Sequence, residues 1–238
     1  MSSQNSKSPE SGRTAWRQDL TSLIYFAIAF ACLVRWGSPS PLSRVNLYTG
    51  GFFALTFLWL LHLRKMNRMA MWSEESKTEF TGVEYDPDAK TRLGRLFDLW
   101  PLVDLIMIFV YAHWRLFPAL ERESLQAAGL ILYVLDLAFV IWIDSYLIGF
   151  FACERPDRQI ITDGPYRYIR HPRYSAILTY RVIYALVFAS VIGWAMVAIW
   201  LVAVTRRIKV EEDHMKNLFG TGYETYALKT TRLVPRVY

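Results

Sequence analysis

Apolar residues occur in long blocks along this 238-residue chain, separated by polar, charge-rich segments. A helix needs about 20 apolar residues to cross a hydrocarbon core of about 30 Å. Four blocks approach that length: residues 20–34, 47–63, 99–117 and 125–152. They lack the period-two alternation of barrel strands. The pattern therefore predicts an all-α fold, a polytopic bundle of membrane helices.

A fifth apolar block, residues 175–204, is long for one span, and Gly193 lies just past its middle. A tight helical hairpin and one long tilted helix both agree with this length. The basic residues favour the hairpin. If the amino terminus is cytoplasmic and the block returns to the side that it left, 22 Lys and Arg lie inside and 4 lie outside. Cytoplasmic loops carry such an excess, so we expect about four spans plus a C-terminal hairpin, a multi-pass protein with both termini cytoplasmic.

Polar segments divide the chain further. Residues 1–15 are polar and begin Ser-rich, which predicts a disordered tail. Residues 16–152 form the expected transmembrane bundle, with a cytoplasmic connector at 64–98 that contains 7 basic and 7 acidic residues. Residues 153–238 contain the hairpin between two polar motifs. The net charge of +6 is attributed to the cytoplasmic surface rather than to nucleic-acid binding.

Ionisable residues interrupt the apolar blocks, and three of them are singled out: Asp136, Asp144 and Arg181. Charges at this depth are costly, so they normally face the bundle interior and find a partner. A buried Asp–Arg pair that fixes helix register is one interpretation, and a residue that lines a substrate cavity is the other. Cys32 and Cys153 are far apart and predict neither a disulfide framework nor a metal site, so both are interpreted as buried thiols.

The first polar motif, residues 163–174, reads DGPYRYIRHPRY. Asp163-Gly164-Pro165 is a turn signal, and Pro172 predicts an irregular loop that becomes a helix at that residue. The loop offers aromatic rings, an imidazole and a guanidinium to a small molecule that has an aromatic base, a carboxylate and a cationic centre. S-adenosylmethionine has all three, and a nucleotide cofactor fits nearly as well. An aromatic belt with snorkelling basic residues is the functionless alternative.

The second polar motif, residues 205–219, predicts an amphipathic helix that ends at Gly220. Its helical spacing puts Glu211 and Glu212 on or beside the apolar stripe, whereas Arg207 flanks that stripe. A surface salt bridge explains the charges but not a carboxylate near the buried stripe. We therefore interpret Glu212 as a ligand-facing carboxylate and Arg207 as a clamp for a substrate carboxylate.

Together these stretches resemble the isoprenylcysteine carboxyl methyltransferase family and, more broadly, the membrane methyltransferases that include phospholipid methyltransferases. The family pattern is G-x-Y-x-x-x-R-H-P-x-Y-x-G, a hairpin, R-x-x-x-E-E, F-G-x-x-Y-x-x-Y and T-x-R-L-x-P. The matching residues are Gly164, Tyr166, Arg170, His171, Pro172, Tyr174, Arg207, Glu211, Glu212, Phe219, Gly220, Tyr223, Tyr226, Thr230, Arg232, Leu233 and Pro235. The last family glycine of the first motif is Ala176 here.

The resemblance implies an S-adenosylmethionine-dependent methyltransferase with a cytoplasmic cofactor pocket and no metal. Its hydrophobic or lipid-linked acceptor would enter from the bilayer, as in isoprenylcysteine carboxyl O-methylation. Residues expected to bind the cofactor are Gly164, Tyr166, Tyr168, Arg170, His171, Pro172 and Tyr174. Those expected to act on the acceptor are Arg207, Glu211 and Glu212. Methylation of a lipid amine or a small thiol, an NADPH-dependent sterol-type reductase and a non-catalytic scaffold are the alternatives.

Overall fold

The computed structural model describes residues 9–33, 47–68, 100–113, 122–152 and 160–237, and in these ranges the chain is helical with no strand. The seven α-helices are α1 Pro9–Leu33, α2 Leu47–Arg68, α3 Trp100–His113, α4 Glu123–Ala152, α5 Pro172–Val187, α6 Val191–Phe219 and α7 Thr221–Lys229. One 3₁₀ turn, Gly164–Arg167, precedes α5. The predicted all-α class is confirmed for this part of the chain.

Among the described residues, two helical segments are long and apolar enough to cross a membrane: Glu123–Tyr146 in α4 and Val191–Phe219, which is α6. Shorter apolar segments lie in α1, α2 and α3, at Leu23–Leu33, Leu47–His62 and Pro101–His113. The predicted tail needs revision, because α1 begins at Pro9 and residues 9–15 are therefore helical. Residues 1–8, most of the 64–98 connector and Cys153 lie outside the described residues, while Cys32 is a half-buried free thiol.

Aromatic side chains form the core of the bundle where α1, α2, α3, α4 and α5 meet. Phe52 is 1% exposed, and its ring lies 5.1 Å from each of the rings of Tyr133, Tyr184 and Phe188. Pairs of this geometry contribute stability beyond the burial of their area. Helix α2 runs parallel to α4, since Phe52 meets Tyr133 near one end and His62 meets Asp144 near the other.

The break between α5 and α6 agrees with the predicted hairpin. The chain turns at residues 188–190, just before the expected position around Gly193. Phe188 is fixed in the aromatic core, and the Ser190 side chain caps α6 by accepting from the Gly193 backbone N–H at 3.1 Å. Gly193 serves close packing instead, because a Cβ there would lie 2.9 Å from Ala185.

Polar contacts fix the register of the buried helices. Arg181 of α5 donates to both carboxylate oxygens of Asp104 in α3, at 2.7 and 2.8 Å. The expected buried Asp–Arg pair is present, but its acid is Asp104 rather than Asp136 or Asp144. Asp144 instead accepts from Arg173 at 2.7 Å and lies 2.9 Å from the His62 ring. Asp136 is buried on α4, and its Oδ1 has no hydrogen-bond partner among the described residues.

Candidate active site

Two polar motifs that are far apart in sequence meet at the ends of α5 and α6. Pro172 begins α5, and His171 before it has φ −122° and ψ 60°, outside the helical region that a following proline disfavours. Helix α6 continues without a break from its apolar half into its polar half, and it ends with Gly220 as its C-cap at φ 53°. The predicted helix end at Gly220 is confirmed. The hairpin thus brings the first turn of α5 against residues 200–212 of α6.

Glu212 is the centre of this arrangement, and it is 4% exposed. Its Oε1 accepts from Arg170 Nε at 2.8 Å, while its Oε2 accepts from Arg232 at 2.7 and 3.0 Å. A buried carboxylate needs such charge-assisted partners to stay ionised. Because Arg170 precedes α5, Glu212 lies on α6 and Arg232 follows α7, this one side chain joins three separate segments.

Arg170 also donates to the last turn of α7 and to the residue that follows this helix. Its Nη1 bonds to the backbone oxygens of Ala227 and Thr230 and lies 3.3 Å from the Thr230 hydroxyl. The sequence suggested that Arg170 would bind a ligand carboxylate, but its guanidinium is engaged by the protein itself. Five donors in a fixed fork suit a guanidinium to this cross-linking task.

Residues 230–237, here called the strap, close the arrangement from the other side. Ile169 and Thr231 form an isolated parallel bridge, and Arg170 and His171 donate their backbone N–H groups to Thr231 and Arg232. The Tyr226 hydroxyl donates to the Tyr166 carbonyl at 2.8 Å. The loop of the first motif is therefore held by α7 and the strap.

Glu211 lies beside Glu212 but faces a different set of groups. It accepts from the Tyr174 hydroxyl and from Arg207 Nε at 2.9 Å, and its side chain is about one-third exposed. The Arg207 guanidinium lies 5.9 Å from the centre of the Tyr174 ring and remains largely exposed. The two glutamates thus differ: Glu212 is enclosed by protein, whereas Glu211 and Arg207 lie at an accessible edge.

His171 lies between the two carboxylates. Its ring stacks on Tyr174 at 5.7 Å, its Nδ1 is 3.7 Å from Glu211, and its Nε2 is 3.5 Å from Glu212. These contacts are too long for good hydrogen bonds, and among the described residues the buried Nε2 has no partner that meets hydrogen-bond geometry. A buried polar atom without a partner needs an explanation, and a bound group that completes its hydrogen bonding is one such explanation.

The remaining predicted residues lie around this centre. Gly164 has φ 59°, and a Cβ there would lie 2.5 Å from the Tyr146 ring, so only glycine fits. Tyr166 packs against Ile143 and Ala176, and burial raises the pKa of its hydroxyl to about 12. Tyr168 is 57% exposed, so its ring is not enclosed by the other predicted cofactor-binding residues.

Several residues of the site had no predicted role. Arg232 was noted only as a motif residue, and Thr230 and Tyr223 likewise. Tyr223 is 3% exposed, and burial, followed by the nearby Glu212 carboxylate, raises the pKa of its hydroxyl to about 12. Tyr166 and Tyr223 both remain protonated at physiological pH. Arg232 was identified by its place in the T-x-R-L-x-P pattern. That pattern does not predict that Arg232 binds Glu212.

The arrangement offers contacts to a ligand that has a cationic centre, an amine and a carboxylate. His171 and Tyr174 offer stacked aromatic faces to which a cation is attracted. Glu211 offers a partly accessible carboxylate to an amine, and Arg207 offers a guanidinium to a carboxylate. The unpartnered His171 Nε2 is a further contact point. In the described residues no group of His, Cys, Asp and Glu has the arrangement of a metal site.

Comparisons with known proteins point to methyltransferases. A family model described as phospholipid methyltransferase matches residues 125–222, from the start of α4 into the first turn of α7. A protein-S-isoprenylcysteine O-methyltransferase of Dictyostelium discoideum is 24% identical over 168 residues, which are 65% of this chain and 69% of that protein. Over residues 125–222 the chain is thus similar to phospholipid methyltransferases, and both comparisons indicate that it is a methyltransferase.

Proposed function

We propose that this protein is an integral membrane enzyme that transfers a methyl group from S-adenosylmethionine to a hydrophobic or lipid-linked acceptor. The observation that carries the proposal is the meeting of the two polar motifs across the hairpin, with Glu212 bound to Arg170 and Arg232 and with Glu211 bound to Tyr174 and Arg207. The acceptor class that the relative's name favours is a carboxylate on a prenylated cysteine. A lipid amine is the second candidate, because the matching family model is that of phospholipid methyltransferases.

The proposed topology follows from the helices and the basic residues. Helices α1, α2, α3 and α4 alternate in direction across the bilayer, and the α5–α6 hairpin crosses and returns. Its turn is protected: Phe188, Ala189 and Ser190 are buried, and the Gln126 side chain donates to the Val187 carbonyl at 2.8 Å. Irregular backbone at membrane depth is tolerated only when it is buried in protein in this way. The polar motifs and both termini then face the cytoplasm.

S-adenosylmethionine supplies an electrophilic methyl group on a sulfonium centre. The stacked rings of His171 and Tyr174 are proposed to face that centre, and Gly164, Tyr166 and Pro172 to form the loop around the nucleoside. Arg170 acts through Glu212 and Thr230, so its proposed role is to hold this loop rather than to touch the cofactor. The exposed Tyr168 is left without a binding role.

Arg207 and Glu211 are proposed to act on the acceptor. Methyl transfer is an in-line displacement, and correct positioning of the two reactants contributes about 7–11 kcal/mol to the lowering of the barrier. A carboxylate acceptor needs no base, and Arg207 orients it. An amine acceptor must lose a proton, and Glu211 is the accessible carboxylate that can take it. Glu212, bound by two guanidinium groups, organises the site instead.

Binding measurements test the proposal. Isothermal titration calorimetry of the purified full-length protein with S-adenosylhomocysteine should show binding, and the same titration with NADPH should not. The transfer of labelled methyl is then measured to an N-acetyl-S-farnesylcysteine probe and to phosphatidylethanolamine vesicles. Product from the first probe alone supports the carboxylate acceptor, and product from the vesicles alone supports the amine. Binding of NADPH without S-adenosylhomocysteine overturns the proposal.

A further inference from the structure

The strap contacts the apolar half of α6 as well as the residues of the active site. Leu233 is 2% exposed and packs with Trp200, Val204 and Ile208 of α6. Its carbonyl accepts from the Ser175 hydroxyl in the first turn of α5. Trp200 and Val204 belong to the apolar block, so the strap lies where the proposed membrane-crossing hairpin begins.

Apolar side chains nevertheless point outward at this level. Val234 is 43% exposed, Val237 is 78% exposed, and Leu228 at the end of α7 is 88% exposed. Leu228 lies between Ala227 and Thr230, whose backbone carbonyls accept from Arg170, so it is level with the loop that precedes α5. A turn closed by the Val237 N–H and the Val234 carbonyl brings both valines to the end of the strap. Leu228, Val234 and Val237 are therefore exposed side chains that lie close to the helical bundle.

Exposed basic residues alternate with these apolar ones. Lys229 follows Leu228, and Arg236 lies between Val234 and Val237, and both are exposed. Arg167 is also exposed, one residue before Tyr168, whose backbone carbonyl accepts from Thr231. Apolar side chains interspersed with Lys and Arg at the membrane boundary are the pattern of segments that lie in the interface plane of an anionic leaflet.

We propose that the strap and the end of α7 dock on an anionic lipid surface. Val234, Val237 and Leu228 enter the headgroup region, and Lys229 and Arg236 lie against lipid phosphates. The strap carries Arg232, so docking holds this guanidinium against Glu212 and keeps the site assembled. The inference rests on the proposed function in two respects: the strap lies at the end of the proposed membrane-crossing hairpin, and the closed site is detected as binding of the product S-adenosylhomocysteine.

The first test uses the full-length protein in nanodiscs of phosphatidylcholine, with or without phosphatidylserine. S-adenosylhomocysteine should bind about fivefold or more tightly when phosphatidylserine is present, an effect that one or two basic residues near an anionic surface can supply. The double variant Val234→Ser/Val237→Ser should lose this dependence on lipid charge. The matched control is Val210→Ser, since Val210 is a valine 70% exposed on the polar half of α6. Equal affinity in both lipids for the wild type, or loss of the dependence in the control, overturns the proposal.

The second test detects docking without any ligand. An environment-sensitive fluorophore is attached to Val237→Cys, and in a separate protein to Val210→Cys, both in a Cys32→Ser/Cys153→Ser background. The label at position 237 should emit at shorter wavelength in phosphatidylserine nanodiscs, and the label at position 210 should emit as in water. Water-like emission at 237 overturns the proposal. So does a shift that appears only in nanodiscs that hold two copies, because a second chain would then cover the patch.

The two tests separate this inference from the proposed function. If the wild type binds no S-adenosylhomocysteine in any lipid, the proposed function fails, and the fluorescence still reports whether the strap docks. If the wild type binds and methylates while the label at 237 stays in water, only the docking fails.

Discussion

Asp104 and Glu212 are buried carboxylates that bind arginine in different ways. Asp104 makes a two-point contact with the single guanidinium of Arg181, between two helices of the bundle. Glu212 is shared between Arg170 and Arg232, which belong to a loop and a strap rather than to packed helices. The first pair fixes the register of elements that are already held by an aromatic core. The second joins a loop, a helix and the strap at the site, so we expect loss of the first to affect stability and loss of the second to affect the site.

Replacing Glu212 should have the largest effect on activity. Glu212→Gln leaves two guanidinium groups close together with a neutral partner, and breaking a buried ion pair on one side costs about 3–5 kcal/mol. Methyl transfer should fall at least about 100-fold, which corresponds to about 2.7 kcal/mol or more, and binding of S-adenosylhomocysteine should weaken, as calorimetry would measure. Glu212→Asp keeps the charge and should recover part of both. Full activity in Glu212→Gln contradicts the central role of this residue.

Replacing Asp104 should act mainly on stability. Asp104→Asn removes the charge opposite the buried Arg181, which again costs about 3–5 kcal/mol, and the melting temperature in detergent should fall. The protein that remains folded should bind S-adenosylhomocysteine with unchanged affinity, because Asp104 lies in the bundle and makes no contact with the site. A variant that melts normally but binds the ligand poorly would show that the two regions are not separable.

Replacing Glu211 should lower activity and leave stability unchanged, which is the opposite of the effect expected for Asp104. This side chain is partly exposed and its partner Arg207 is largely exposed, so the pair contributes about 1 kcal/mol or less to stability. Glu211→Gln should keep the melting temperature while the rate of methyl transfer falls by about tenfold or more, in the range expected for a positioned acid–base or orienting group. An unchanged rate with both acceptor probes would remove Glu211 from the proposed mechanism.

Replacing Tyr168 should have the smallest effect. Its side chain is exposed, and the contacts of this residue with Thr231 use its backbone carbonyl, which a substitution leaves in place. Tyr168→Ala should change the affinity for S-adenosylhomocysteine less than about twofold, as expected for a surface substitution. A larger loss would show that the ring turns toward the ligand and would restore the role that the sequence suggested.

Much of this architecture could be predicted from local signals. The His-Pro step fixed the start of α5, and Gly220 fixed the end of α6, because both residues restrict or permit backbone angles by themselves. The placement of Glu212 on the buried side of α6 followed from helical spacing alone. The turn of the hairpin was expected near Gly193, whereas it forms at 188–190, since the packing of Phe188 in the aromatic core decides the position.

The partners of the charged residues could not be predicted in the same way. Arg181 was assigned to an acid on α4, yet it pairs with Asp104 on α3, because the pairing depends on which helices meet. Asp104 was as visible in the sequence as Asp136, an acid within an apolar block. Arg170 looked like a ligand for a small molecule until the strap was seen to engage it. Long-range packing, which spacing along the chain does not encode, determined both outcomes.

The position of Glu212 between three segments has a consequence for how the site assembles. A buried carboxylate that has lost one of its two guanidinium partners is unfavourable, and so is a guanidinium left beside it without a counter-charge. Half-built arrangements are therefore disfavoured, and loop, helix and strap should come together or separate as one cooperative unit. Hydrogen exchange should then find the backbone amides of Arg170, His171 and Thr231 opening at a common rate.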